Sequence, residues 1–442
     1  MEAELLVAER QTPGEGTRLV MIDVLRAVAI AWVVLFHLWG DLEFFPGAPG
    51  NYYEAFSDRA GRGDAWASFT AFTDLLFRLG FQGVPLFMII SGISLTIAAY
   101  RMGDGLSWPR FFSMRFRKLL IPYWVGVALT YGVIALIAWR QLALHGGTFT
   151  EQFTGGVTIS GSAPVSVDWN VALASVGLVP RLTGAEYFFA PQLALWFVGL
   201  IAQYYLLFPI LFFVMRRIGV PAFLLLTFAM TVAANWWIID RYGAPEFKFY
   251  MVTGWAPFRL FEFTFGMAIG WLLVAPEAAR WLRLARNPLV IVSFVVVGLA
   301  AHTMGGMMIG DWSYEYWQSL ALPLATLGLG LLCLPLLLKP SSRVDVSLPM
   351  RAIATVGVMS YAVLIVNDAM RLVASQLRVE DVSDGVWWTF LVAVYVPASI
   401  LLAWPLARVL GLLPRQRPIA EPAPITEMSE QRIAALAAAY PN

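Results

Sequence analysis

The chain alternates long apolar runs with short polar connections from Met21 to Pro414. A helix needs about 20 mainly apolar residues to cross a bilayer, and ten segments of the sequence have this length and character. They are residues 20–40, 80–100, 119–139, 192–214, 219–239, 256–275, 288–304, 317–338, 353–373 and 387–410. The pattern therefore predicts an all-α integral membrane protein with about ten transmembrane helices.

The predicted organisation has three parts. Residues 1–19 form an N-terminal segment, residues 20–414 a membrane domain and residues 415–442 a C-terminal tail. Within the membrane domain, residues 140–190 form a long loop on the outer side that is rich at first in Gly, Ser and Thr. Loops of this length are often functional.

The distribution of Lys and Arg predicts the direction of the spans. The termini and loops on one side of the predicted membrane carry 18 of these residues, and the loops on the other side carry 8. Basic loops are retained in the cytoplasm, so the richer side is assigned to the cytoplasm. Both termini are then cytoplasmic, in agreement with an even number of spans. We expect a multi-pass protein of the cell (inner or plasma) membrane.

Composition excludes several other classes of protein. Apolar residues make up 59% of the chain and charged residues 13%, about half the share found in a soluble globular protein. The 30 basic and 29 acidic residues leave a net charge of +1, which gives no electrostatic footprint for nucleic acid. Cys333 is the only cysteine, so an intrachain disulfide and a cysteine metal site are excluded.

The first span carries the strongest candidate for chemistry. His37 lies deep in this span, where an ionisable group is costly and is a functional candidate by default. Arg26 precedes it by eleven residues, so both side chains leave one helix face, roughly 16 Å apart along the axis. Asp23 lies one turn before Arg26 and can pair with it. On these residues alone, a packed histidine above a helix-end salt bridge is as good an interpretation as a catalytic site.

Six segments of the chain, taken together, point to a known family. They are IDVLRAVAIAWVVLFH from Ile22, GVPLFMIISGISL from Gly83, RFRKLLIPYW from Arg115, LWFVGLIAQYYLLFP from Leu195, RLFEFTFGM from Arg259 and GVMSYAVLIVN from Gly357. In their order and in their coverage of nearly the whole chain, these segments resemble the acyltransferase 3 family of integral-membrane O-acyltransferases. The first contains the Arg and His, ten residues between them, that are typical of that family.

The resemblance implies an enzyme that acts across a membrane. It implies transfer of an acyl group, most simply acetyl, from cytoplasmic acyl-CoA to a hydroxyl of an extracytoplasmic or exported glycan, glycolipid or glycosylated small molecule. His37 would be the general base, with Arg26 and Asp23 in the same catalytic group. A neutral imidazole suits this work because it titrates near physiological pH. The implied partners are the bilayer, acyl-CoA and the acceptor, with no metal and no permanently bound cofactor.

A basic group at the start of the third span is the candidate site for the CoA phosphates. It consists of Arg115, Arg117 and Lys118. The same residues suit a signal that retains the loop in the cytoplasm, and the two interpretations are compatible. The family's common Arg-x-x-Arg pattern has a lysine, Lys118, in its second position here. A lysine supplies charge to a phosphate without the bidentate fork of an arginine.

Other residues of the resembling segments are candidates for lining a substrate cavity. They are Trp196, Gln203, Tyr205, Arg259, Glu262, Tyr361 and Asn367. Arg259 and Glu262 can instead pair with each other, because they are three residues apart. Ile201 and Asn367 stand where many family members have glutamate and histidine, so roles attached to those residues do not transfer. The pair Ser91-Gly92 is typical of close helix packing.

Two other function classes stay open on the sequence alone. A secondary transporter of a sugar or lipid-linked precursor is one alternative, although matching Gly- or Pro-broken spans in two halves are not evident. A noncatalytic envelope-assembly protein is the other, and it would not require His37. Turnover of labelled acyl-CoA by the purified protein would favour the enzyme, and counterflow of an intact solute would favour the transporter.

Overall fold

The computed structural model describes residues 20–40, 79–103, 107–154, 195–242, 254–308, 316–338, 347–377 and 384–413, with isolated positions at 61, 65, 68, 71–73, 77 and 382. Every regular element within these residues is helical, as the apolar pattern predicts. The predicted N-terminal segment 1–19, the tail 415–442 and residues 155–190 of the predicted outer loop lie outside the described residues.

The helices of the described residues are labelled in chain order. They are α1 (Val20–Gly40), α2 (Gly83–Met102), α3 (Trp108–His145), α4 (Phe149–Thr154), α5 (Trp196–Ile218), α6 (Val220–Tyr242), α7 (Leu260–Val274), α8 (Ala279–Ala285), α9 (Pro288–Met308), α10 (Gln318–Leu337), α11 (Leu348–Val358), α12 (Ser360–Ser375), α13 (Asp384–Phe390) and α14 (Val396–Val409). The 3₁₀ turns Leu79–Gln82 and Ala256–Arg259 precede α2 and α7, and the π-helical turn Leu391–Tyr395 joins α13 to α14.

Nine helices of the described chain are long and apolar enough to cross a membrane. They are α1, α2, α3, α5, α6, α7 with its preceding 3₁₀ turn, α9, α10, and α14 with its preceding π turn. The adjacent helices α11 and α12 make a tenth candidate when they are counted as one broken span. The prediction of an all-α membrane protein with about ten spans is confirmed.

Two spans differ from their predicted form. The third was expected over residues 119–139, but α3 has 38 residues and is roughly 57 Å long, well beyond the 30 Å of a hydrocarbon core. Hydropathy identifies only the most apolar part of such a helix, so the apolar pattern does not predict that its more polar ends are helical. The first residues of the predicted outer loop, 140–145, are therefore helical.

The span predicted over residues 353–373 is present as two helices that are separated by a break. Helices α11 and α12 meet at Met359 and are bent by 67°. At Gly357, α11 approaches α1 so closely that an added Cβ would overlap the Asp23 carbonyl oxygen. Beyond Met359, α12 turns to pack against α3 and α14 as well. The break allows α11 to pack closely against α1 while α12 also packs against α3 and α14.

Glycines bring the central helices α2 and α7 together. An added Cβ at Gly92 would overlap the Phe263 carbonyl oxygen, and one at Gly266 would overlap that of Ile89. Small residues let helix backbones approach in this way, which is how helices associate within lipid. The close packing predicted at Ser91-Gly92 is confirmed for Gly92.

Packing differs between the centre and the periphery of the bundle. Helix α9 lies against α10 through Gly298, Gly305 and Gly328, and presents Val and Leu side chains outward. Such outward apolar residues are expected where a helix faces lipid. Helices α1, α2, α7 and α12 instead bury polar or charged side chains. The polar interior therefore belongs to the centre.

Candidate functional site

A cavity of about 390 Å³ lies among the central helices. Its wall includes side chains from α1, α2, α3, α5, α10 and α12 and from both 3₁₀ turns. The polar and charged residues of the wall are Arg26, His37, Ser91, Tyr205, Arg259, Ser360 and Tyr361. Most of the remaining wall is apolar and includes Phe36, Phe87, Trp196, Phe197 and Ile201. Volume and lining are typical of a small-molecule site.

Helix α1 contributes both Arg26 and His37 to this wall, which confirms that they share one face. The Arg26 guanidinium donates to Asp23 Oδ1 at 3.0 Å and to Ser94 Oγ of α2 at 2.8 Å. Asp23 is fully buried behind Arg26, while about a quarter of the Arg26 side chain is exposed. Two fixed partners therefore orient a guanidinium that still reaches the cavity.

The antiparallel packing of α1 and α2 defines two ends of the cavity. Arg26 contacts Ser94, whereas an added Cβ at Gly80 would press on Phe36, next to His37. We call these the Arg26 end and the His37 end. Eleven residues of helix separate them, or roughly 16 Å.

Several groups meet at the Arg26 end. Tyr205 of α5 lies within electrostatic range of both Arg26 and Arg115. Its ring also packs edge-on against Phe116, with 6.1 Å between ring centroids. Arg115 is half-buried, and the Arg117 and Lys118 side chains that follow are exposed. The basic group at the start of α3 is thus continuous with the Arg26 end through Arg115 and Tyr205.

The break between α11 and α12 also opens onto this end. Ser360 and Tyr361, the first two residues of α12, both line the cavity. The Tyr361 hydroxyl donates to the Leu119 carbonyl of α3 at 2.9 Å, which ties the first turn of α12 to the helix that carries the basic group.

A second arginine, Arg259, reaches the cavity from the turn before α7. Its guanidinium donates to both carboxylate oxygens of Glu262, at 3.0 and 3.2 Å, and lies over the Trp196 ring at 5.5 Å. Trp196 precedes Tyr205 by nine residues, so these two side chains of α5 are roughly 13 Å apart along the helix axis. The predicted Arg259–Glu262 pair is confirmed, and Arg259 is also part of the wall.

The structure places some of the predicted site residues on the cavity wall and others behind it or beside it. Those it brings together on the cavity wall are His37, Arg26, Trp196, Tyr205, Arg259 and Tyr361. Glu262 stands behind Arg259, just as Asp23 stands behind Arg26. Arg115, Arg117 and Lys118 lie on α3 before Leu119, which is itself part of the wall.

Two predicted cavity residues have structural roles instead. Gln203 braces the turn before α7, because its amide donates to the Gly254 carbonyl at 2.9 Å and accepts from the Ala256 N–H at 3.0 Å. Asn367 is fully buried next to the π turn before α14, where the Tyr395 hydroxyl donates to its backbone carbonyl and contacts its side-chain oxygen. Both satisfy polar groups where helices are irregular, a demand that sequence spacing does not reveal.

The sequence did not identify three serines as site residues. Ser91 and Ser360 line the cavity, and Ser94 holds Arg26. The only available signal was a small polar residue within an apolar helix, which packing explains equally well.

Among the described residues, no three His, Cys, Asp or Glu side chains come together in a group that could hold a metal ion. The polar side chains on the cavity wall are instead hydroxyls, guanidiniums and one imidazole, which suit hydrogen bonding to an organic or anionic ligand.

Comparison with known proteins places the chain in a family. A family model described as an acyltransferase domain, acyltransferase 3, matches residues 19–408, nearly the whole chain. No curated protein matches the sequence, and no solved structure matches it either. The match covers all the helices that surround the cavity. The chain therefore belongs to the acyltransferase 3 family, and it is a multi-pass membrane acyltransferase.

Proposed function

We propose that the protein transfers an acyl group, most simply acetyl, from cytoplasmic acyl-CoA to a hydroxyl of an extracytoplasmic or exported glycan, glycolipid or glycosylated small molecule. The observation that carries the proposal is that His37 and Arg26 line the same cavity inside the membrane domain. A membrane acyltransferase needs a base for its acceptor hydroxyl, and His37 is the one imidazole on the described wall of this cavity.

In the proposed reaction His37 works first as a base and then as an acid. Its neutral imidazole takes the proton of the acceptor hydroxyl while the oxygen attacks the thioester carbonyl carbon. The tetrahedral intermediate collapses, the carbon–sulfur bond breaks, and the departing CoA sulfur receives the proton from the imidazolium. An ester and free CoA are the products.

The substrates are proposed to arrive from opposite sides of a cell membrane. The basic group Arg115, Arg117 and Lys118 leads to the Arg26 end, and we assign this end to the cytoplasm from the excess of basic residues on that side. CoA then never crosses the membrane. The outer loop 140–190 is the external segment long enough to help select a bulky acceptor.

The test of the base uses a matched pair of histidine variants. We expect His37→Ala to insert normally but to lower acyl transfer by about 10²–10⁴-fold, the loss typical of a missing general acid or base. His302→Ala is the control, because His302 lies on α9 and contacts the Ala325 carbonyl, away from the cavity. Transfer of label from acetyl-CoA to the membranes of producing cells is measured. Near wild-type transfer by His37→Ala would refute the role of the base.

Sealed vesicles of known orientation test the two-sided arrangement. Transfer should require acyl-CoA on the cytoplasmic face and acceptor on the other face. Arg115→Glu with Lys118→Glu should weaken the apparent affinity for acyl-CoA, whereas Arg283→Glu, an exposed control on α8, should not. Shortening residues 146–166 should weaken acceptor affinity instead. Equal product with both substrates supplied only on the cytoplasmic face would refute the two-sided arrangement while leaving His37 as the base.

Tags test the orientation on which this arrangement depends. Reporters at either terminus and in the 276–287 loop should respond to cytoplasmic reagents, and a reporter near Gly155 should respond to external ones. An external response from either terminus would reverse the assignment of the two ends of the cavity.

A further inference from the structure

The first turn of α12 faces the Arg26 end of the cavity. The 67° bend at Met359 turns this helix away from α11, and its first two residues, Ser360 and Tyr361, line the cavity. The Val363 N–H donates to the Met359 carbonyl, which leaves three N–H groups ahead of that bond, as at any helix N-terminus. These groups and the helix dipole favour an anion.

A buried hydroxyl points to the same place. Ser360 is only 8% exposed, yet it lines the cavity. Within the residues that the structure describes, the Ser360 side chain makes no hydrogen bond. Nine-tenths of the residue is buried and its hydroxyl is open to the cavity, so a ligand there can serve as its hydrogen-bond partner.

The charges on the wall agree with an anionic ligand. Arg26 and Arg259 both reach the cavity, and none of the described residues on its wall is Asp or Glu. At the Arg26 end, Asp23 and Ser94 hold the guanidinium in place. The close contact of Gly357 with the Asp23 carbonyl places the end of α11, three residues before Ser360, against the turn of α1 that carries Arg26.

We infer that Arg26, Ser360 and the N-terminal turn of α12 form a phosphate site that binds the 4′-phosphate of a pantetheine thioester donor. This inference rests on the proposed function and adds a second anion site, deeper than the exposed basic group on α3. That basic group would then be left to contact the nucleotide portion of CoA.

The length of the donor supports the assignment. About thirteen chain atoms connect the 4′-phosphate to the thioester sulfur. Three such atoms correspond to one extended residue of 3.3–3.6 Å, so the arm reaches roughly 14–16 Å. Arg26 and His37 stand roughly 16 Å apart along α1. A phosphate held at the Arg26 end therefore places the thioester beside His37.

Binding of non-transferable donor analogues tests the site without an acceptor. The probes are acetonyl-pantetheine, acetonyl-4′-phosphopantetheine and acetonyl-CoA, titrated against the full-length protein in nanodiscs. We expect the wild type to bind the phosphorylated pantetheine about 10- to 100-fold more tightly than the unphosphorylated one, as for charged hydrogen bonds. Ser360→Ala should weaken the two phosphorylated probes about tenfold and leave acetonyl-pantetheine unchanged.

Two control variants separate this site from its surroundings. Ser399→Ala removes another buried serine hydroxyl, which donates to the Tyr395 carbonyl on the far side of α12, and it should bind all three probes like the wild type. Arg115→Gln should weaken acetonyl-CoA but not acetonyl-4′-phosphopantetheine, which lacks the nucleotide.

Each outcome bears on a different claim. Equal wild-type affinity for the two pantetheine probes would overturn the phosphate site, and this comparison does not depend on any variant folding. An equal loss of all three probes in Ser360→Ala would also overturn it. Absence of acetonyl-CoA binding together with absence of acyl transfer would instead refute the proposed function.

Discussion

The two arginines of the cavity wall have the same kind of partner but different surroundings. Arg26 and Arg259 each pair with an acid three residues away, Asp23 and Glu262, at 3.0 Å. The Arg26 side chain is 26% exposed and divides its donors between Asp23 and Ser94. The Arg259 side chain is 5% exposed, binds both oxygens of Glu262 and stacks on Trp196.

This difference separates a binding arginine from a largely structural one. Arg26 combines a fixed orientation with access to the cavity, as a ligand-binding group requires. Arg259 is held by Glu262 and Trp196, and its enclosure means that its charge depends on Glu262 for compensation. A buried charge that loses its partner is strongly destabilising, whereas a charge with access to water is not.

Removal of the acid should produce the largest effect at the Arg259 pair. We expect Glu262→Leu to lower the free energy of unfolding by about 3–5 kcal/mol, because a buried guanidinium is left uncompensated. Asp23→Leu should cost less, since water in the cavity can reach Arg26. Thermal unfolding in detergent micelles measures both.

The Asp368–Arg371 pair of α12 provides a reference for that experiment. Its two side chains are 3% and 2% exposed, so Asp368→Leu should resemble Glu262→Leu. Equal losses for Asp23→Leu and Glu262→Leu would contradict the distinction between the two arginines.

Replacing the whole Arg259 pair should restore most of the lost stability. The double variant Arg259→Met with Glu262→Leu fills similar volume and leaves no buried charge, so we expect it to unfold within about 1–2 kcal/mol of the wild type. Thermal unfolding in detergent micelles also measures the stability of this double variant. A double variant as unstable as Glu262→Leu would show that packing against Trp196, and not charge, is the dominant contribution.

Lysine substitutions should separate affinity from stability. Arg26→Lys keeps the charge but cannot hold Asp23 and Ser94 with one planar group, so we expect acyl-CoA affinity to fall about tenfold with little change in unfolding temperature. Arg259→Lys should show the reverse, a loss of stability with a smaller change in donor affinity. Parallel titration and melting curves for both variants give the comparison. Equal losses of acyl-CoA affinity in the two lysine variants would place Arg259 in the acyl-CoA site too.

The smallest effect is expected at Glu277, an acid outside the spans between α7 and α8. Burial acts to raise its pKa, but hydrogen bonds from its own N–H, Tyr100 and Trp271 together lower the pKa below 4.5. Its stabilising contribution is thus present above pH 4.5 and is lost as the pH falls through the lowered pKa.

Glu277→Gln tests that pH dependence. At pH 7 it should cost less than about 1 kcal/mol, as expected for an exposed group. The difference in unfolding temperature from the wild type should close as the pH falls below 4.5. A difference that persists unchanged in acid would mean that the Glu277 carboxylate charge has no part in the contact.

Local patterns predicted much of this molecule. The helical class and the number of spans follow from runs of apolar residues, because a bilayer demands a minimum helix length. The shared face of Arg26 and His37 and the pairing of Arg259 with Glu262 follow from helical periodicity. All of these depend only on residues close together in the chain.

Sequence spacing did not predict the contacts of two amide side chains where helices are irregular. Gln203 and Asn367 were expected in a substrate cavity, but Gln203 bonds backbone groups at the turn before α7, and Asn367 accepts from the Tyr395 hydroxyl at the π turn before α14. An amide within an apolar helix has the same pattern in either role. Only the position of the neighbouring helices distinguishes the two roles.

The sequence by itself determined the family resemblance, the helices and the candidate base. The tertiary structure alone decided that α12 breaks from α11, that Ser360 reaches the cavity and that Arg26 is more exposed than Arg259. Those features arise from contacts between segments far apart in the chain, such as Gly357 against Asp23 and Arg26 against Ser94. Local periodicity sets the face on which a side chain lies, but packing of distant helices decides what that face meets.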